Sequence, residues 1–316
     1  GYAMYLITNG FLVTRDKKGA FYKNGAVVVE DTKIKEVGEG DALKAKYPEA
    51  EIVDARGRVI MPAFINAHTH IYSALARGLS VKGYNPHNFY EVLDGMWWNI
   101  DRRLTLKGTR ASAMETYIEC IKNGVTTVFD HHASYCEIPG SLFEIADAAK
   151  ETGIRSCLCY EVSDRDGNEK CAEAIKENMD FIRFCAKEKN PMLKALFGMH
   201  ALFTLSEETL NKCAEENAGM AGYHIHVSEG MNDVYDTREK YNMRPVERLL
   251  KAGILGEKTV LGHCIHVTTE EMDIIKQTDS VVVNNPESNM GNAVGCSPVL
   301  DMYKKGILLG LGTDAY

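Results

Sequence analysis

The sequence predicts an α/β fold: a (β/α)8 TIM-like barrel over residues 61–316, with a small β-sandwich-type accessory domain contributed by residues 1–60. Three observations predict it. Residues 4–60 hold only short β-rich runs broken by turn residues. From Met61 onward strand-like runs alternate with helix-like ones, and eight such strands in roughly 250 residues match a barrel of that kind. Nine of the ten histidines stand at the C-terminal ends of those strands, where a barrel gathers its chemistry.

In the first part, YLITNGFLVT, GAVVVEDTKIKEVG and EIVDARGRVIMP are separated by Asn-Gly, Asp-Thr-Lys and Ala-Arg-Gly turns, and the second reads as a hairpin. So few strands make a poor core alone, so their Leu, Ile and Val must pack against something. The barrel opens with AFINAHTH. A helix over 105–123 follows, with Ala111, Met114, Ile118 and Ile121 at three- and four-residue spacing and Gly124 placed to end it. GVTTVFDHH and GIRSCLCYEVSD are the next strands, separated by the helical SLFEIADAAKETG. A helix over 168–189 carries Ala172, Ile175, Met179, Ile182 and Ala186 on one stripe and stops at Asn190-Pro191. LKALFGMH is the fourth strand, and Ser206 caps the helix after it. MAGYHIHVSE is the fifth strand and leads to a helix over 244–252. KTVLGHCIH is the sixth, with Thr268 and Glu271 spaced as a capping box for the following helix. SVVVNNPESN and GILLGLGTDAY are the last two strands. A doubly wound sheet is the alternative, weakened because no GxGxxG follows the first strand. The long stretch 84–101 after that strand suits a lid or pocket wall.

Composition narrows the function. The 316 residues are 45% apolar, enough for a large core. The formal charge of -8, with no long basic run, argues against nucleic acid and anionic membranes as partners. No run approaches the roughly 18 apolar residues of a membrane span. The N-terminus lacks the basic region of a signal peptide. Nine cysteines, scattered and with no CxxC pair, read as reduced thiols of a cytoplasmic protein.

Two imidazoles at i and i+2 on a strand share a face and can grip one ion, so His68 and His70 invite a search for further ligands. The other strand ends offer Asp130, His131 and His132; His200; His224, His226 and Glu229; His263 and His266; Asn284, Asn285, Ser288 and Asn289; and Asp314. The joint pattern, rather than any single His, points to a metal site.

HxH on strand 1, His226 with Glu229 on strand 5, His263 on strand 6, Asp314 on strand 8 and the NPESN stretch together resemble the amidohydrolase superfamily. The resemblance is to its mononuclear aminohydrolase branch of guanine and S-adenosylhomocysteine deaminases and triazine hydrolases. NFYEVLDGMWWNIDRRLT and SDRDG are most similar to the SsnA-type aminohydrolases. The resemblance implies one divalent ion, Zn²⁺ first and Fe²⁺ second, held by His68, His70, His226 and Asp314. It implies hydrolytic deamination of a purine- or pyrimidine-like heterocycle by a hydroxide that the metal activates. Asp314 then takes the water's proton, Glu229 protonates a ring nitrogen, and His263 polarises the hydroxide or holds the developing oxyanion. Binuclear relatives bridge two ions through a lysine at the end of strand 4. Here Lys194 starts that strand and His200 ends it, which implies one ion and a substrate contact for His200. His131, Trp97 and Asn289 are the further expected substrate contacts, Trp97 by stacking on the ring or by filling a lid core. His224 shares the face of His226 one layer down and is expected beneath the ligands. The resemblance also implies a homodimer, and a continuation after Asp314 that closes the barrel and completes the β unit. Two rival readings are hydrolysis of a cyclic amide or amidine without ammonia release, and an inactive scaffold that keeps the fold.

Overall fold

A computed structural model describes residues 3–76, 102–285 and 298–314. The chain divides into two compact units, Gly1–Phe64 and Ile65–Tyr316.

Among the described residues the first unit is one sheet of five strands. Its order is β3 (Lys33–Glu39), β2 (Phe21–Glu30), β1 (Met4–Val13) and β4 (Glu51–Asp54), with β5 (Val59–Ile60) also paired to β1. The hairpin is β2–β3, closed where Glu30 pairs with Lys33. Its turn holds Asp31 in left-handed backbone (φ 55), which Asp tolerates better than most residues. A helix absent from the sequence reading, α1 (Gly40–Lys46), supplies what a second sheet would have supplied. Its Leu43 joins Leu6, Ala26, Val28 and Ala50 in a small buried core.

The second unit carries two sheets, β6 (Phe64–Thr69), β7 (Val125–His132), β8 (Arg155–Tyr160) and β9 (Leu193–Ala195), and β10 (Phe197–Ala201), β11 (Tyr223–Val227), β12 (Val260–His263), β13 (Val281–Asn284) and β14 (Leu308–Leu311). Every strand pair from β10 to β14 and from β7 to β9 is parallel. β11 is buried along its whole length, as expected of a strand covered on both faces. Parallel bridges Thr69–Asp314 and Val162–Met199 join the two sheets at both seams.

The fourth strand is broken at Leu196, between β9 and β10. Helix α4 (Asn168–Glu188; α2 is Leu106–Lys122 and α3 Ser141–Thr152) mends that seam. The fully buried Asn178 amide accepts from Tyr160 N (2.8 Å) and Gly198 N (3.2 Å) and donates to Tyr160 O (2.8 Å) and Gly198 O (3.1 Å). A Cβ on Gly198 would lie 2.3 Å from Tyr160 O, so only glycine lets the two strands approach.

Among the described residues the remaining α-helices are α5 (Glu207–Asn217), α6 (Met231–Tyr241), α7 (Pro245–Lys251), α8 (Thr269–Gln277) and α9 (Val299–Lys304). Ser206 caps α5, and the Thr268–Glu271 capping box forms on α8. The expected stripe on α2 is wrong. That helix buries Thr109, Ala113 and Tyr117, while Ile118 and Ile121 are exposed. Tyr117 is drawn inward by Ser156, whose hydroxyl donates to its phenol oxygen (2.7 Å). Among the described residues no helix is long and apolar enough to cross a membrane.

Candidate metal centre

The strand ends deliver the expected residues to one place. His68 lies in β6 and His70 just after it, His131 stands one residue before the end of β7, His200 lies in β10, His224 and His226 in β11, and His263 ends β12. Asp314 follows β14 and is held by its backbone, since Thr313 N and Asp314 N both donate to His68 O (3.0 and 2.9 Å). Gly312 permits this: a Cβ there would lie 2.6 Å from the same carbonyl. Ser228 (φ 49), His263 (φ 73), Cys264 (φ 52) and Asp314 (φ 54) all adopt left-handed backbone. Such conformations cost roughly 1–3 kcal/mol each and concentrate at functional sites.

Four donor atoms converge. His70 Nε2 is 3.1 Å from His226 Nε2, which is 3.2 Å from His68 Nε2. Asp314 Oδ1 lies 2.8 Å from His70 Nε2, 2.9 Å from His68 Nε2 and 3.9 Å from His226 Nε2. All four residues are buried. Donor atoms that share one ion at bonds of about 2.0–2.1 Å lie roughly 3–4 Å apart, so these separations fit a common ion. The hydrogen bonds agree. His70 Nδ1 donates to His131 O (2.6 Å) and His226 Nδ1 to His200 O (2.9 Å). With Nδ1 donating in each ring, Nε2 is the nitrogen turned toward the shared position, where a cation would take the place of the His70 proton.

The electrostatics also call for positive charge. Burial depresses His70, but the Asp314 carboxylate outweighs it and raises the ring to about 9. Burial takes His68 down to about 4 and holds His131, His200, His224 and His226 well below the ordinary imidazole value, in the neutral form that ligates. Burial disfavours the Asp314 carboxylate, yet His263 and then His68 and His70 hold it well below the usual range.

Beside the donors, His263 Nε2 sits between Glu229 Oε2 (3.2 Å) and Asp314 Oδ2 (3.3 Å). His200 packs on His226, with ring centroids 5.4 Å apart, and bonds Thr204 Oγ1 through Nδ1 (3.1 Å). His131 stacks on His224 (4.6 Å, 15°), and its Nδ1 lies 3.6 Å from Glu161 Oε2. Glu161 was missed in the sequence. It is fully buried just after β8, with its other carboxylate oxygen 3.6 Å from Arg165, and its only signal was an acid inside the apolar run CLCYEV. Trp97, Asn289 and the 84–101 stretch lie outside the described residues.

The Amidohydrolase family model matches residues 59–316. The chain belongs to the amidohydrolase family. An Imidazolonepropionase-like composite domain of bacteria also matches residues 25–50. Among curated amidohydrolase relatives, 5'-deoxyadenosine deaminase of Methanosarcina barkeri is 31% identical over 98% of this chain and 68% of its own length. The 5-methylthioadenosine/S-adenosylhomocysteine deaminase of Thermococcus sibiricus is 31% identical over 98% of this chain and 69% of its own. An adenosine deaminase from Xanthomonas campestris, solved with bound zinc, superposes with a TM-score of 0.83 at 20% identity, covering 99% of this chain and 69% of that one. That likeness shows the shared fold.

Proposed function

We propose that the chain is a divalent-metal aminohydrolase that replaces the amino group of a purine- or pyrimidine-like heterocycle with oxygen from water, releasing ammonia. The observation that carries this is the convergence of His68, His70, His226 and Asp314 beside the Glu229–His263 pair. The adenosine-type substrates named for the two curated relatives favour a purine nucleoside derivative. Three imidazoles and one carboxylate suit Zn²⁺ and also accept Fe²⁺.

When bound, the ion would lower the pKa of water towards about 7 and so supply a nucleophile at neutral pH. Asp314 faces the ring nitrogens through Oδ1 and His263 through Oδ2, so Oδ2 is placed to receive the water's proton. Glu229, protonated, donates to the ring nitrogen next to the attacked carbon, which carries the electrons displaced by attack. His263 then stabilises the oxygen as charge develops, from between the two carboxylates. The proton taken from water passes to the departing amine, which leaves as ammonia. His200 and His131 border the site and are the substrate wall in this account.

The test is ammonia release from 5'-deoxyadenosine and 5-methylthioadenosine by the Zn²⁺-loaded protein. Glu229→Gln should lower the rate about 100- to 10,000-fold while the bound metal is retained. Turnover of a cyclic amide without ammonia would replace this reading with ring hydrolysis.

A further inference from the structure

Beneath the donors runs a chain of hydrogen bonds that the reaction itself does not use. Cys159 Sγ lies 3.4 Å from Asp130 O and 3.8 Å from His224 Nδ1. His224 Nε2 lies 2.7 Å from His68 Nδ1. Cys159, His224 and His68 are all buried, and His131 stacked on His224 fixes the plane of its ring.

The direction of this chain follows from its first member. A backbone carbonyl has no proton, so Asp130 O can only accept, and the Cys159 thiol donates to it. Burial holds that thiol well above its usual range, so the S–H is present. The sulfur then has only lone pairs for His224, so His224 Nδ1 donates and its Nε2 is left as an acceptor. His68 Nδ1 must therefore donate to His224, and His68 Nε2 is bare. It points at Asp314 Oδ1 and His226 Nε2. Run the other way, the chain would put a proton on His68 Nε2, where Asp314 Oδ1 accepts it at 2.9 Å; that would block the nitrogen as a metal donor and leave Asp130 O without the thiol.

We infer that Cys159 and His224 are positioning residues: a one-way relay anchored on the Asp130 carbonyl that holds His68 in the tautomer whose Nε2 can ligate. The inference rests on His68 being a metal donor, as proposed above. The sequence reading expected His224 beneath the ligands and gave Cys159 no role beyond that of a reduced thiol. The relay gives both a task.

Zn²⁺ is the probe, and its affinity is read by competition with a chromophoric chelator. His224→Gln keeps an oxygen acceptor for His68 Nδ1 and should bind within about threefold of the unaltered chain. His224→Leu fills similar space without an acceptor and should bind about 10- to 100-fold more weakly, the usual loss when the partner of a ligating histidine is removed. Equal affinity for Leu and Gln would overturn the relay, because packing alone does not distinguish them. The second readout needs no metal. In ¹⁵N-histidine-labelled metal-free protein, His68 should carry its proton on Nδ1, and in Cys159→Ala the Nε2–H form should appear. A Cys159→Ala spectrum with His68 unchanged contradicts the inference even if His224→Leu fails to fold. An unaltered chain that takes up no Zn²⁺ would instead contradict the metal reading, and the spectrum would still decide the relay.

Discussion

His68 and His70 stand two residues apart and experience opposite fields. Burial lowers His68 to about 4, whereas the Asp314 carboxylate lifts His70 to about 9. The His70 shift has a stability consequence with a definite sign. The folded value lies above the ordinary 6.5, so protonation of His70 stabilises the metal-free fold. That stabilisation is fully present below pH 6.5 and is lost as pH rises to about 9. The thermal midpoint of metal-free protein should therefore fall across that window, and saturating Zn²⁺ should flatten the fall, because the ion takes the proton's place. A midpoint independent of pH without metal would count against the His70–Asp314 pair. This much was legible from residue spacing, since a period of two puts both imidazoles on one face. Glu161 was not legible, because a single acid in an apolar run has no partner in sequence to announce it.

At the seam between β8 and β10, one side chain reinforces the Val162–Met199 bridge. Asn178 uses both amide groups to bridge β8 and β10, where no regular ladder exists. Asn178→Leu would strand Tyr160 N and Gly198 N in the interior, at about 1–3 kcal/mol each. Urea unfolding should show a loss of about 2 kcal/mol or more. A loss under half a kcal/mol would mean that the seam holds without it. The sequence showed the strands because buried parallel strands read as apolar runs, and it showed α5 and α8 through Ser206 and the Thr268–Glu271 box. It did not show α6, where only Asp233, Val234 and Thr237 are buried, too thin a stripe to stand out. Nor did it show that α2 turns Tyr117 rather than Ile118 inward, because period alone cannot choose between two adjacent stripes.

At the scale of the molecule, the site joins the two ends of the second unit. His68 and Asp314 are 246 residues apart in sequence and 2.9 Å apart in space. An ion held by both, as proposed, would clamp β6 to β14, and binding to the folded state alone would stabilise by about 4 kcal/mol at a thousandfold excess over Kd. Chelation should therefore lower the thermal midpoint by several degrees and speed amide exchange first in β6 and β14. Exchange in the Leu6–Ala26–Val28–Leu43 core of the first unit, which holds none of the donors, should stay unchanged. Uniform acceleration across both units would contradict a local clamp. Residues 4–60 differ from the rest in sequence period, whereas α1 was not legible, its Leu43 being the one large apolar residue in GDALKAK. Elemental analysis of the purified chain beside a His68→Ala, His70→Ala double variant decides whether the four buried donors hold one ion. About one Zn or Fe per chain, lost in the variant, is the expected result. A chain that stays metal-free after reconstitution with Zn²⁺ and Fe²⁺, or a variant that keeps its ion, would contradict it.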